Sequence, residues 1–358
     1  MATHYIVTNR GITSRPGKAY VKVNAKEYIR IDGDEEARDN LRYGTVTFDP
    51  KKARKVDDFK INIFPELSDK DMDTFRETGN VPKGKELGSR KVFKELYEKG
   101  LVADKANKKL PEEKEQERHT LLFIHGFKSD LSVSLNTMKE LHKKYVESKD
   151  SPIENIVMFS WPAKAQLLKY RDDARDAVKS GYALARSIAS LKEFFRKTFV
   201  VEGKPQCNQK IHLMCHSMGN RVLEAMFTSL NEMNVEINSM FGEVLLMASD
   251  IDYDALEKPR ALYRVLDIGE RVHVYYHNKD QALGISELTK NAFNRLGRWG
   301  AKNSIGLPDD IYQADVTDIP DDKGLLNGVV HHWYYYNSPL IVKDVINVLN
   351  GNTSSFTL

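Results

Sequence analysis

Cys215-His216-Ser217-Met218-Gly219-Asn220 sets a serine between an apolar run that ends at Cys215 and an amphipathic stretch that opens at Met218. A serine at a sharp strand-to-helix turn can act as a nucleophile. Its hydroxyl projects above the sheet, and the amide of the next residue faces a developing oxyanion. Such a turn asks for small residues two positions to either side. Gly219 meets this on one side; on the other, Cys215 stands where glycine is usual and is small enough to fit. The competing reading is a helix cap, a common use of serine.

His125-Gly126-Phe127 closes another apolar run 92 residues before Ser217. A His-Gly pair there lets the backbone turn close to a nucleophile and offer a second oxyanion donor. The donors are expected to be the backbone amides of Phe127 and Met218. An acid and a histidine follow in the order that this chemistry uses. Asp280 comes directly after the run Arg271–His277, and the histidine is one of His331-His332. Asp250 and Asp252, after the preceding run, are rivals for the acid. Asp280 ranks ahead because its run is the last robust one before the histidine, although an Asp there also suits a helix N-cap. A thiol nucleophile at Cys215 would lie in the strand end, away from the apex of the turn. His212, His216, His273 and His277 are scattered over apolar runs, so no metal is expected. No Gly-rich loop followed by Lys-Ser or Lys-Thr cradles a phosphate.

These residues need a scaffold, and from residue 119 the chain supplies one. Short apolar runs at Thr120–His125, Asn155–Trp161, Lys210–Cys215, Glu243–Ala248 and Arg271–His277, with a shorter one at Ile311–Val316, are nearly continuous. That pattern predicts strands buried on both faces of a parallel sheet. Helices are expected between them, at about 131–146, 218–232, 281–296 and 338–349. The longest carries Ala174, Ala177, Gly181, Leu184, Ile188, Leu191 and Phe195 on one stripe. Residues 1–118 differ: short strands at Tyr5–Thr8, Tyr20–Val23 and Gly44–Phe48, a helix at Arg90–Lys99, and a charged linker at Ala103–Arg118. The reading is two regions, an N-terminal extension over 1–118 that packs on the core and a catalytic domain over 119–358. One hundred and eighteen residues with few large apolar clusters make a poor core of their own.

Composition narrows the class. The 358 residues are 41% hydrophobic and 29% charged, enough apolar material for a sizeable core. Net charge is only +3, with 26 basic and 22 acidic side chains before residue 119, so no nucleic-acid surface is expected. Two cysteines, Cys207 and Cys215, make no disulfide framework. No secretory signal or membrane span is seen, and a cytoplasmic protein is expected.

Leu122-Phe123-Ile124-His125-Gly126-Phe127, Phe159-Ser160-Trp161-Pro162, His216-Ser217-Met218-Gly219-Asn220-Arg221-Val222-Leu223 and Asn278-Lys279-Asp280-Gln281-Ala282-Leu283 occur in succession. Together with Tyr170–Ser180, Val7-Thr8-Asn9-Arg10 and Tyr43-Gly44, they closely resemble the bacterial α/β-hydrolase family catalogued as domain of unknown function nine hundred. The resemblance covers most of the chain. It implies an α/β-hydrolase fold, a mostly parallel sheet flanked by helices on both faces, and a Ser-Asp-His triad without naming a substrate. In that family the histidine typically stands seven residues before a Ser-Pro or Asn-Pro that opens the last helix. With Pro339 as reference, this implies His332 rather than His331.

The expectation is a serine hydrolase of esterase or lipase type, with Ser217, Asp280 and His332 catalytic. It would cleave a small-molecule or lipid-like acyl ester or thioester, and would need no cofactor. A non-catalytic interaction module on the same fold is the alternative from another class, and an amidase or peptidase would use the same triad. Gly284–Asp310, with Phe293, Leu296, Trp299, Ile305 and Leu307 among cations, reads either as a lid or as ordinary packing with a solvated face.

Overall fold

The apolar runs pair side by side in a computed structural model of the chain. It describes residues 1–357 apart from 16, 18, 33–40, 66, 68, 79, 108, 110–116, 165, 167–168, 202–203, 206–207, 290–292 and 321–330. Nine strands form one sheet: β1 (Ala2–Thr8), β2 (Arg42–Phe48), β3 (Lys60–Ile63), β4 (His119–Ile124), β5 (Ile153–Ser160), β6 (Ile211–His216), β7 (Phe241–Met247), β8 (Gly269–Tyr276) and β9 (Ile311–Asp315). Their order in space is β9-β8-β7-β6-β4-β5-β1-β2-β3. The seven from β9 to β1 run parallel, β2 pairs antiparallel with β1, and β3 pairs antiparallel with β2. All six residues of β4 are buried, which explains why its sequence shows no alternation.

Alternate side chains of these strands enter two cores. On one face Leu122, Ile124, Cys215, Leu246 and Val274 meet α1 (Gly88–Asn107), α3 (Tyr170–Phe194) and α4 (Gly219–Glu232). On the other, Leu121, Phe123, Met214, Leu245 and Met247 meet α2 (Leu131–Leu141) and α6 (Pro339–Leu349). The chain is thus an α/β protein with a large, mostly parallel sheet flanked by helices, extended at its N-terminal side by further strands. Among the described residues no helix is long and apolar enough to cross a membrane.

Several elements depart from the sequence reading. Lys60–Ile63 alternates exposed and buried residues at the sheet edge, and so short an alternation gave no signal. Asp69–Thr78 is an additional helix. The charged tract from Ala103 is helical as far as Asn107, and most of its remainder lies outside the described residues, as does Cys207. The helix expected over 281–296 splits into α5 (Gln281–Thr289) and a single turn at Leu296–Trp299. The split has a cause: the Leu296 and Gly297 amides donate to the Ile251 and Ser249 carbonyls (2.9 Å each) instead of to a preceding helical turn, and the lack of a Cβ at Gly297, which would lie 2.0 Å from the Ser249 nitrogen, permits the approach. The chain has to leave the helix to press its backbone against the end of β7.

The extension is also stitched to the loops above the sheet. Arg10, fully buried, donates from Nε to Ser160 Oγ (2.9 Å), from Nη1 to the Ile31 carbonyl (3.1 Å) and from Nη2 to the Ser129 carbonyl (2.8 Å).

Candidate active site

Ser217 follows β6 directly and has φ +51, a conformation that costs a non-glycine residue energy and persists only where its surroundings impose it. Here they do. Ser217 N–H donates to the Met247 carbonyl (2.9 Å), and the Ser217 carbonyl accepts from the amides of Asn220 (3.1 Å) and Asp250 (3.2 Å). Asn220 Nδ2 donates to the carbonyls of Cys215 (3.2 Å) and Ser217 (3.1 Å), closing the turn from beneath. Gly219 passes so near β4 that a Cβ there would lie 2.6 Å from the Ile124 carbonyl oxygen. At Cys215 the side chain is fully buried, and burial pushes its thiol pKa well up, so it stays a neutral packing group.

The loop after β4 lies against this turn. A Cβ on Gly126 would stand 2.7 Å from Ser217 Cβ and 3.0 Å from the His216 carbonyl oxygen, so only glycine allows the approach. His125 fixes the loop from behind. The Trp161 amide donates to His125 Nε2 (3.1 Å), and the Trp161 indole donates to the His125 carbonyl (2.7 Å). Because Nε2 accepts, Nδ1 carries the hydrogen and donates to the Gly126 carbonyl (3.0 Å). Burial, reinforced by the Arg10 charge, lowers the His125 pKa to about 3 and keeps this ring neutral. Phe127 comes next, its ring edge-on to Tyr170 at 5.4 Å. Met218 is the N-cap of α4, so its amide belongs to the unpaired N–H groups at a helix start.

His332 and Asp280 are brought together. His332 Nδ1 lies 2.7 Å from Asp280 Oδ2, and both side chains are buried. A carboxylate at Nδ1 places the hydrogen there and leaves Nε2 as the free lone pair. Asp280 Oδ1 accepts from the Leu283 amide at 3.0 Å, so the same carboxylate also begins α5. Burial raises its pKa; the His332 ring and the amides of Leu283 and Ala282 pull the other way. No hydrogen bond joins Ser217 Oγ to His332 Nε2 among the described residues. Such contacts are often long in ligand-free enzymes and tighten as substrate binds. His216 links the two residues: it precedes Ser217, and its ring lies 4.7 Å from that of His332.

The rival residues have other partners. His331 stacks on His277 at 4.2 Å. Asp250 accepts from Tyr170 Oη (2.7 Å) and Ser286 Oγ (3.0 Å), while Asp252 pairs with Arg295 at 2.7 Å. The sequence offered no sign of this Tyr170-Asp250-Ser286 group, nor of Trp161 as the partner of His125, because these bonds span 36 to 116 residues. In the Gly284–Asp310 stretch Leu296 is buried, whereas Phe293 (62%), Trp299 (48%) and Ile305 (98%) are exposed, so its apolar side chains divide between core and solvent.

A family model described as alpha/beta hydrolase of unknown function (DUF900) matches residues 102–349. No curated protein matches the chain.

Proposed function

The chain belongs to this family of α/β hydrolases of unknown function, and from that premise we propose that it is a serine hydrolase that cleaves an acyl ester or thioester through an acyl-enzyme. The observation that carries the reading is the buried His332–Asp280 pair at 2.7 Å, whose histidine is joined through its carbonyl to His216, the residue before a serine held at φ +51. Ser217 Oγ attacks the acyl carbon and its proton passes to His332 Nε2. Asp280 holds the ring in the tautomer that can accept this proton and stabilises the resulting imidazolium. The carbonyl oxygen becomes an oxyanion facing the amides of Phe127 and Met218, each such donor contributing about 3 kcal/mol. As the bond to the leaving group breaks, His332 returns the proton to it. Water then attacks the acyl-enzyme with the same base, releasing the acid and restoring the serine. No step requires a cofactor.

A fluorophosphonate tests this directly, because an activated serine displaces fluoride from it and an ordinary hydroxyl does not do so readily. Intact-mass analysis is expected to show one adduct per native chain and none on Ser217→Ala. Native, folded protein that stays unlabelled would overturn the reading in favour of an interaction module.

A further inference from the structure

We propose that His216 is the positioning residue for the base: its ring anchors the main chain of His332 and so sets where the imidazole stands relative to Ser217. The inference rests on the hydrolase reading above and deepens it.

The contact is a hydrogen bond between His216 Nε2 and the His332 carbonyl oxygen, 3.1 Å long and buried. A carbonyl can only accept, so Nε2 carries the hydrogen and the tautomer of His216 is fixed. Its bare Nδ1 then faces the oxyanion loop, where a Cβ on Gly126 would lie 3.1 Å away. Tyr335, with its centroid at 4.8 Å, and Trp333, at 6.4 Å, pack around the ring and hold its plane. The ring thus touches the base and the oxyanion loop, and it adjoins the nucleophile in the chain.

His332 needs such an anchor. The residue before it, His331, has φ +63, so the chain arrives in a conformation that β-carbon-bearing residues rarely adopt. Asp280 holds one edge of the imidazole, but a ring tethered at one nitrogen can still swing about that bond. Fixing the carbonyl of the same residue removes this freedom. The donor must also stay neutral, since a cation at 4.7 Å would oppose the imidazolium formed during the reaction. Burial, and then the neighbouring His332, lower the His216 pKa well below its ordinary value and keep it neutral.

The test compares H216L, which keeps the bulk and loses the donor, with H216Q, whose amide nitrogen reaches about as far as Nε2. The readout is the rate constant of Ser217 phosphonylation at saturating reagent, and the reagent concentration at half-saturation, on protein shown folded by its melting curve. H216L is expected to slow the limiting rate about 10- to 100-fold, the effect of an ångström-scale misplacement, at unchanged half-saturation. H216Q is expected to recover most of the rate. A purely structural role would lower the fraction of chains labelled, not the rate constant. Equal rates in H216L and native protein, equal slowing in both variants, or a change confined to half-saturation would each overturn the inference while leaving the hydrolase reading intact. Absence of label on native protein would overturn the hydrolase reading, and this inference with it.

Discussion

Asp280 does two things that an amide of the same shape does only in part. It accepts from the Leu283 amide to begin α5, and it holds His332 by Nδ1. An asparagine in its place would keep the cap, yet its amide group would favour the wrong imidazole tautomer and would not stabilise the cation. Asp280→Asn is therefore expected to reduce kcat about 10³- to 10⁴-fold with little change in KM, read by steady-state hydrolysis of a generic acyl ester. Loss of KM alone would contradict the role. The placement of Ser217 at a strand-to-helix turn and of Asp280 after a strand was legible in the sequence because each follows an apolar run. His332 needed a family spacing to separate it from His331. The His216–His332 bond left no local trace: its partner lies 116 residues away, and the bond runs to a backbone atom that any residue would supply.

At the scale of elements, the turn that carries the serine is held by close backbone approaches more than by side-chain bonds. Gly219→Ala would push a methyl group toward the Ile124 and His125 carbonyl oxygens, 2.6 and 2.8 Å from its ideal position. Overpacking of this kind costs about 1–3 kcal/mol. Since the strain falls on the helix start, labelling of Ser217 should fall more than stability does, as differential scanning calorimetry beside phosphonylation rates would show. Equal losses in both would argue against a strained turn. The parallel strands were legible because strands buried on both faces are written as uninterrupted apolar runs. The edge strand Lys60–Ile63 was not, since four alternating residues look like any loop, and the break before Leu296 depended on tertiary bonds from the Leu296 and Gly297 amides to Ile251 and Ser249.

At the scale of the whole molecule, seven imidazoles among the described residues are buried with lowered pKa. Burial lowers the pKa of His4 and His125 to about 3 and that of His119 and His277 to about 4, with His142, His212 and His216 also lowered. Below pH 6.5 the unfolded chain takes up protons on these rings and the folded chain does not, so stability falls as the pH drops from about 6.5 toward 4. Each such ring contributes about 1.4 kcal/mol per pH unit inside its window. Desolvated carboxyls oppose this: Asp173, raised to about 7, and the half-buried Glu224, also raised, favour holding protons in the fold that the open chain releases. The rings outnumber them, and the melting temperature at pH 5 is expected to lie several degrees below that at pH 7.5. An unchanged or higher value at pH 5 would contradict neutral burial. The N-terminal strand has a consequence of another kind, in time. β1 lies between β2 and β5, and its Thr8 pairs with Ser160, 152 residues later. On a ribosome adding about 5–20 residues per second, β1 waits roughly 8–30 s with one edge open. Arg10, whose partners include Ser129 and Ser160, waits with it. β1 is thus a long-exposed edge that a chaperone, or a neighbouring nascent chain, has time to find.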